Sequence, residues 1–184
     1  MKFKNPGVLL PILLIAIFYF LKNDVLVGDS IPVYSKIEDY PHDKETEKFI
    51  RYGESIRVAD GSQIHAWVYL PKSATKEDPV PVVILSHGCG SQKEMGLDYY
   101  ASLFASNSMG AVVIDYLSFG ESTVQKNIRN YINVWNHIDD LKRTVDYVSS
   151  GQLGNLFDAD RVATWGSSLA GGYGIFVSCP LFCK

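Results

Sequence analysis

Three short runs of mainly apolar residues constrain the fold of this chain most strongly. They are VVILS (Val82–Ser86), AVVID (Ala111–Asp115) and RVATW (Arg161–Trp165), and each is followed by a loop of small or polar residues. Such runs are typical of strands that are buried on both faces, as in a parallel sheet. Helical periodicity separates them, over Leu97–Ser108 and again from Val134. This alternation predicts an α/β fold with a mostly parallel sheet and helices on both of its faces.

Two further strands are predicted ahead of these runs. Phe49–Val58 and Ile64–Leu70 flank Asp60–Gly61, a hairpin signal, so we expect them to form an antiparallel pair. The chain has 184 residues, of which 47% are hydrophobic, and this is enough to bury the core of one domain. Its formal net charge of −3 provides no basic face, so nucleic acid is excluded as an expected partner.

The N-terminus carries a membrane-targeting pattern. Lys2 and Lys4 precede VLLPILLIAIFYFL (Val8–Leu21), a run without any charge, which we expect to form a hydrophobic helix. Its length of about 21 Å as a helix is short for a bilayer and favours a cleaved signal peptide. The weakness of the best cleavage site, Gly28-Asp29-Ser30, favours an uncleaved anchor instead.

We therefore predict three segments. Residues 1–28 are a signal peptide or membrane anchor, residues 29–46 are a linker, and residues 47–184 are the portion of the chain that forms the α/β domain. The basic residues that precede the apolar run predict that the domain is secreted or membrane-anchored on the extracytoplasmic side.

No cofactor or metal is expected. The three cysteines, Cys89, Cys179 and Cys183, form no closed disulfide framework and have no zinc-ligand spacing. The glycines near Ser168 match neither G-x-x-x-x-G-K-S/T nor G-x-G-x-x-G, the two common phosphate-binding patterns.

The segment WGSSLAGG lies between a predicted strand and a predicted helix. A sharp turn at this point admits only small residues two positions before and two positions after its tip. Gly166 and Ala170 occupy those positions around Ser168, so the pattern predicts an exposed serine nucleophile at a helix N-terminus. A plain glycine-rich turn without chemistry is the structural alternative.

A second motif, HGCG (His87–Gly90), follows the buried strand Val82–Ser86. Acyl transfer needs two backbone N–H groups that point at the oxyanion, one from the residue after the nucleophile and one from an earlier loop. Leu169 and Cys89 are the candidates for this oxyanion hole. We expect His87 to be a structural histidine that ties the loop together, and we do not expect Cys89 to be a nucleophile.

Taken together, LSHGCGSQKE, VVIDYLSFGES and RVATWGSSLAGG resemble the α/β-hydrolase superfamily. They are most similar to its dienelactone-hydrolase-like and Xaa-Pro-dipeptidyl-peptidase-like serine hydrolases, over about residues 49–177. The resemblance implies an α/β-hydrolase fold, with Ser168 as nucleophile and with Cys89 and Leu169 as the oxyanion hole. It also implies that Asp115 supports a loop. Two residues depart from the family pattern, Ala170 from G-x-S-x-G and Ser118 from D-x-x-G-x-G-x-S.

The catalytic acid and histidine of that superfamily follow the serine along the chain. The sixteen residues after Ser168 contain no Asp, Glu or His, so we expect an incomplete α/β-hydrolase fold, only the N-terminal part, without turnover on its own. Three interpretations stay open at this point. The first is a serine hydrolase that acts on small-molecule ester, thioester or peptide bonds. The second is a non-catalytic membrane-anchored binding module. The third is an enzyme that transfers the acyl group to an acceptor other than water.

Overall fold

A six-stranded mixed sheet forms the centre of the protein. The computed structural model describes residues 25–26 and 43–179, and the statements below concern these residues. The strands in chain order are β1 (Val25–Leu26), β2 (Lys44–Glu45), β3 (Phe49–Arg57), β4 (Gln63–Pro71), β5 (Val80–Ser86), β6 (Gly110–Ile114), β7 (Tyr131–Ile132) and β8 (Phe157–Gly166). The helices are α1 (Leu97–Ser106), α2 (Val134–Ser149) and α3 (Leu169–Ser178).

The large sheet has the order β2-β3-β4-β6-β5-β8. The predicted antiparallel pair is confirmed, since β3 and β4 pair along their whole length with Ile56 opposite Ile64. The predicted parallel pairing is confirmed for β5 with β6 and for β5 with β8. The pairs β2–β3, β3–β4 and β4–β6 are antiparallel, so the sheet as a whole is mixed.

Helices cover both faces of the sheet, as predicted. Along β5 the side chains alternate, so Val83 and Leu85 face α1 whereas Val82 and Ile84 face the side of α2 and α3. All four of these side chains are buried. This alternation explains why a short run without polar residues is needed at the centre of the sheet.

The end of α1 differs from the prediction. The helix ends at Ser106 and the chain turns at Ser108, which has a φ of 60°, so the predicted helix Leu97–Ser108 is two residues too long. Gly110 is the first residue of β6. A Cβ atom at this position would lie 2.6 Å from a ring atom of Phe157, so glycine is needed there for close packing.

The two ends of the chain are described only in part. The hydrophobic helix predicted at Val8–Leu21 and the cysteine at 183 lie outside the described residues. Within the predicted N-terminal segments, β1 pairs with β7, and β2 pairs with β3. None of the helices among residues 43–179 combines the length and apolarity needed to cross a membrane.

Candidate active site

The two loops singled out by the sequence meet at one edge of the sheet. The parallel strands β5 and β8 are neighbours, and Ser86 at the end of one pairs with Gly166 at the end of the other. The HGCG loop and the serine turn therefore begin side by side. A Cβ atom at Gly88 would lie 3.1 Å from both the carbonyl oxygen of Ser167 and Cβ of Ser168. Glycine at position 88 thus permits direct contact between the loops.

Ser168 has the geometry of a strained turn between strand and helix. Its φ of 53° and ψ of −123° lie in a region that non-glycine residues rarely adopt, and the residue is exposed. A Cβ atom at Gly166 would lie 2.4 Å from the carbonyl carbon of Ala170, so only glycine fits two positions before the serine. Small residues are required around Ser168 because the backbone at Gly166 lies directly against the backbone of Ala170 and Gly171.

The turn leads directly into a helix. Leu169 is the first residue of α3, while the N–H groups of Ala170 and Gly171 donate to the carbonyl oxygens of Ser167 and Ser168. The N-terminus of a helix favours negative charge because its first N–H groups point away from the helix. Cys89 is exposed in the adjacent HGCG loop. The structure thus brings all three predicted site residues, Ser168, Cys89 and Leu169, to the same edge of the sheet.

His87 lies beneath this edge and is 1% exposed. Its Nδ1 donates to the carbonyl oxygen of Gly88 at 3.0 Å, and its Nε2 accepts from the backbone N–H of Tyr116 at 3.5 Å. Burial lowers the pKa of His87, although the carboxylate of Asp115, 3.8 Å from Nε2, acts in the opposite direction. A buried neutral imidazole with these two partners connects the HGCG loop to the end of β6.

The other two histidines of residues 43–179 also have structural surroundings. The ring of His137 stacks on the ring of Tyr116 with centroids 4.3 Å apart, and burial lowers the pKa of His137 to about 3. Nδ1 of His65 lies 3.1 Å from a carboxylate oxygen of Glu121. Neither arrangement is that of a general base for Ser168.

A buried lysine behind the HGCG loop was not singled out by the sequence. Lys93 is 0% exposed, and its Nζ lies 2.5 Å from Oδ2 of Asp115 and 3.0 Å from Oε1 of Glu94, and also contacts Glu121. The Lys93 ammonium also lies 4.9 Å from the centre of the Trp67 ring. In the sequence, this cluster is visible only as a lysine and three carboxylates that flank two glycine-containing loops. Charged residues on an exposed surface give the same pattern, so the sequence does not indicate that these side chains are buried.

Lys93 and Asp115 stabilise each other's charged forms. Burial alone would raise the pKa of Asp115, but the attraction of Lys93 outweighs it and holds this pKa below its ordinary value. Burial likewise acts to lower the pKa of Lys93, but Asp115 and Glu94 raise it overall. Oxygens of Glu94, Asp115 and Glu121 lie within 4.8 Å of one another, a spacing that a metal ion could use. The ammonium group of Lys93 contacts all three carboxylates, so it supplies the positive charge there.

Asp115 organises the loop that follows β6. Its carboxylate accepts from the backbone N–H groups of Lys93 and Glu121, and its carbonyl oxygen accepts from the hydroxyl of Ser122. A Cβ atom at Gly120, where φ is 45°, would lie 2.0 Å from Oδ2 of Asp115. The role in loop structure that the family resemblance implies for Asp115 agrees with these contacts.

Comparisons with known proteins agree with this geometry. No protein-family model matches the sequence. The quorum-quenching protein AidA of Acinetobacter baumannii (strain MDR-ZJ06) is 31% identical over 108 residues, which are 59% of this chain and 33% of that protein. Among solved structures, the acetyl xylan esterase from Paenibacillus sp. R4 has a TM-score of 0.59 at 22% identity and covers 85% of this chain. The α/β hydrolase GrgF from Penicillium sp. sh18 has a TM-score of 0.60 at 21% identity and covers 69% of it.

The chain spans less than half of each of these relatives. The matched part is 48% of the acetyl xylan esterase and 40% of GrgF. The sequence motifs predicted parallel strands with helices on both faces of the sheet, and the described residues show both features within a mixed sheet. The chain therefore has the α/β-hydrolase fold, as its resemblance to that superfamily implies.

Proposed function

We propose that the complete protein is a serine hydrolase that cleaves ester bonds of small molecules, with Ser168 as its nucleophile. The observation that carries this proposal is the conformation of Ser168, which is exposed, has a φ of 53° and contacts the glycine of the HGCG loop. A strained backbone at an exposed serine is typical of a functional site, because a structural turn can relieve that strain with glycine. The esterases and hydrolases among the solved structures of this fold support the reaction class.

The proposed reaction proceeds in two steps. The Ser168 hydroxyl loses its proton to a general base and attacks the carbonyl carbon, and the oxyanion is stabilised by the N–H groups of Cys89 and Leu169. The C–O bond to the alcohol then breaks, and the alcohol leaves with the proton from the base. Water next attacks the acyl-enzyme, which releases the carboxylic acid and restores Ser168. Thioester and peptide bonds would react by the same steps.

The general base has to come from outside the described residues. His87 and His137 are buried, and burial lowers the pKa of both, while His65 lies beside Glu121. We propose that the catalytic acid and the general base lie in a segment that follows Lys184 in a longer form of the protein. We expect the 184-residue chain itself to show no turnover, since a serine hydroxyl is a poor nucleophile without a base.

A fluorophosphonate probe tests the proposal on a form of the protein that continues past Lys184. We expect the probe to label Ser168, as mapped by peptide mass spectrometry, and a short-chain nitrophenyl ester to be hydrolysed. The Ser168→Ala variant should lose both signals. Ser167→Ala is the matched control, because Ser167 is the neighbouring serine of the same turn and contributes its backbone carbonyl to α3, which alanine retains.

Two outcomes would contradict the proposal. Labelling that persists in Ser168→Ala would assign the nucleophile to another residue. A folded long form that binds ligand but remains unlabelled would favour the non-catalytic binding module. Transfer of the acyl group to an added amine or alcohol in preference to water would retain Ser168 as nucleophile and change only the acceptor.

A further inference from the structure

The pairing of β1 with β7 bears on the fate of the N-terminal segment. Val25 lies opposite Ile132 and Leu26 lies opposite Tyr131, in a two-stranded antiparallel sheet that is separate from the large one. Tyr131 and Ile132 are 6% and 1% exposed. Residues 25–26 are thus part of the folded domain, although they precede the weak cleavage site at Gly28-Asp29-Ser30.

Cleavage at that site would remove β1. The backbone groups of buried Tyr131 and Ile132 that pair with β1 would then lose their partners, and an unpaired buried N–H or C=O group is unfavourable. A removable signal peptide is not expected to contribute a strand to the mature fold. The pairing therefore favours retention of the N-terminal segment over its removal.

The same pairing limits how far the apolar run can lie from the domain. Leu21, the last residue of that run, is four residues before Val25. Four residues of fully extended chain reach at most about 14 Å. Val25 is paired with Ile132, and Trp135 follows three residues later at the start of α2. The chain therefore enters the described domain close to the N-terminus of α2.

The surface around this point has the composition of a membrane-facing region. Trp135 is 49% exposed, and Ile175 on the adjacent α3 is 74% exposed. Lys126 and Arg129 are exposed in the loop that leads to β7, while the first exposed carboxylate of α2, Asp139, lies one helical turn beyond Trp135. Tryptophan favours the headgroup level of a bilayer, and basic side chains favour anionic lipids.

We propose that residues 1–28 are retained as a membrane anchor that holds the start of α2, with Trp135, Lys126 and Arg129, against the lipid headgroups. Helix α3 directly follows the parallel strand β8, and the first turns of α2 pack where the parallel strand β6 ends, since the ring of His137 stacks on that of Tyr116. The N-termini of both helices therefore lie at the carboxyl edge, where Ser168 is located. The anchor therefore places the Ser168 edge next to the bilayer surface. This orientation is independent of whether Ser168 is catalytic.

Peptide mapping tests retention of the segment in the full chain expressed and recovered from the membrane fraction. Trypsin cleaves after Lys22 and Lys36, so the peptide from Asn23 to Lys36 contains the candidate cleavage site. We expect this peptide to be present intact, and we expect N-terminal sequencing of the recovered protein to begin ahead of Val8, so that the apolar run Val8–Leu21 is retained. A mature protein that lacks this run would overturn the proposal.

Quenching of tryptophan fluorescence tests the orientation. The full chain is reconstituted into vesicles of equal parts phosphatidylcholine and phosphatidylglycerol that carry brominated acyl chains. The chain has three tryptophans, and Trp67 is 1% exposed, so Trp135→Phe and Trp165→Phe form a matched pair. We expect most of the quenching to disappear in Trp135→Phe and to persist in Trp165→Phe. Quenching that is unchanged in Trp135→Phe would overturn the proposed orientation, even if the anchor is retained.

Discussion

Replacement of Gly166 by alanine would place a methyl group inside the serine turn. The added Cβ atom would lie 2.4 Å from the carbonyl carbon of Ala170, 2.5 Å from its oxygen and 2.7 Å from the nitrogen of Gly171. All three are backbone atoms at the start of α3, so no side-chain rotation can relieve the overlap. Overpacking of this kind destabilises a protein by about 1–3 kcal/mol, and we expect the upper end of that range here because three rigid contacts are involved.

The matched control is Gly172→Ala, six residues further along the chain. No atom lies within 4 Å of the position that a Cβ at Gly172 would occupy, and the residue is exposed within α3. Alanine in a helix interior is favoured over glycine by about 1 kcal/mol, so this variant should be stabilised. The two variants add the same methyl group and should change stability in opposite directions.

Urea unfolding followed by circular dichroism measures both effects on the full chain. For a domain of this size, each 1 kcal/mol changes the Tm by about 2–4 °C, so thermal unfolding should show the same order of stabilities. If Gly166→Ala were as stable as the unsubstituted protein, the close approach of β8 and α3 would be wrong. If both variants were destabilised equally, the effect would belong to α3 in general and not to the turn.

Three further predictions concern the strained serine, the buried charges around Lys93 and the buried ring of His137. Ser168→Gly should raise the free energy of unfolding by about 1 kcal/mol, because glycine adopts a positive φ without strain; Ser168→Ala should not, and urea unfolding separates the two. Lys93→Met should destabilise the fold by about 3–5 kcal/mol, since it leaves buried carboxylates without their cation. In the unsubstituted protein the lowered pKa of Asp115 means that its contribution to stability is lost as the pH falls through that pKa. In Lys93→Met burial should raise the pKa of Asp115 instead, so the Tm of the variant should increase relative to the unsubstituted protein on acidification. His137, whose pKa burial lowers to about 3, should stay neutral in the fold, so its ring signals in NMR should not titrate between about pH 8 and about pH 5. Titration of His137 near its ordinary pKa would show that its ring is accessible to solvent.

The strands and helices that a sequence pattern predicts best are those at the centre of the sheet. Val82–Ser86 and Ala111–Asp115 correspond to β5 and β6 within two residues, because a strand buried on both faces has no polar positions to obscure it. β8 begins at Phe157, four residues before the predicted start. It lies at the edge of the sheet among the described residues, and edge exposure permits the polar residues Asp158 and Asp160 within it. The limits of an edge strand are therefore less visible in a sequence than those of a central one.

The serine turn was predictable because its determinants are local. Gly166 and Ala170 are four residues apart, and the contact between them follows from the geometry of a single turn, whatever the rest of the sheet does. The catalytic roles of Ser168, Cys89 and Leu169 stay predictions, since geometry at one edge of a sheet establishes proximity and not reactivity.

The buried charge cluster shows why other features could not be predicted. Lys93 is 22 residues from Asp115 and 28 from Glu121, and the three meet only because β5 and β6 are neighbours in the sheet. In the sequence each of these residues lies in a polar loop and would be expected in solvent. Their burial depends on the sheet order and on Gly120, where a side chain would overlap the carboxylate of Asp115. The cluster lies directly behind the HGCG loop, so the position of the proposed oxyanion-hole loop depends on contacts that no local pattern encodes.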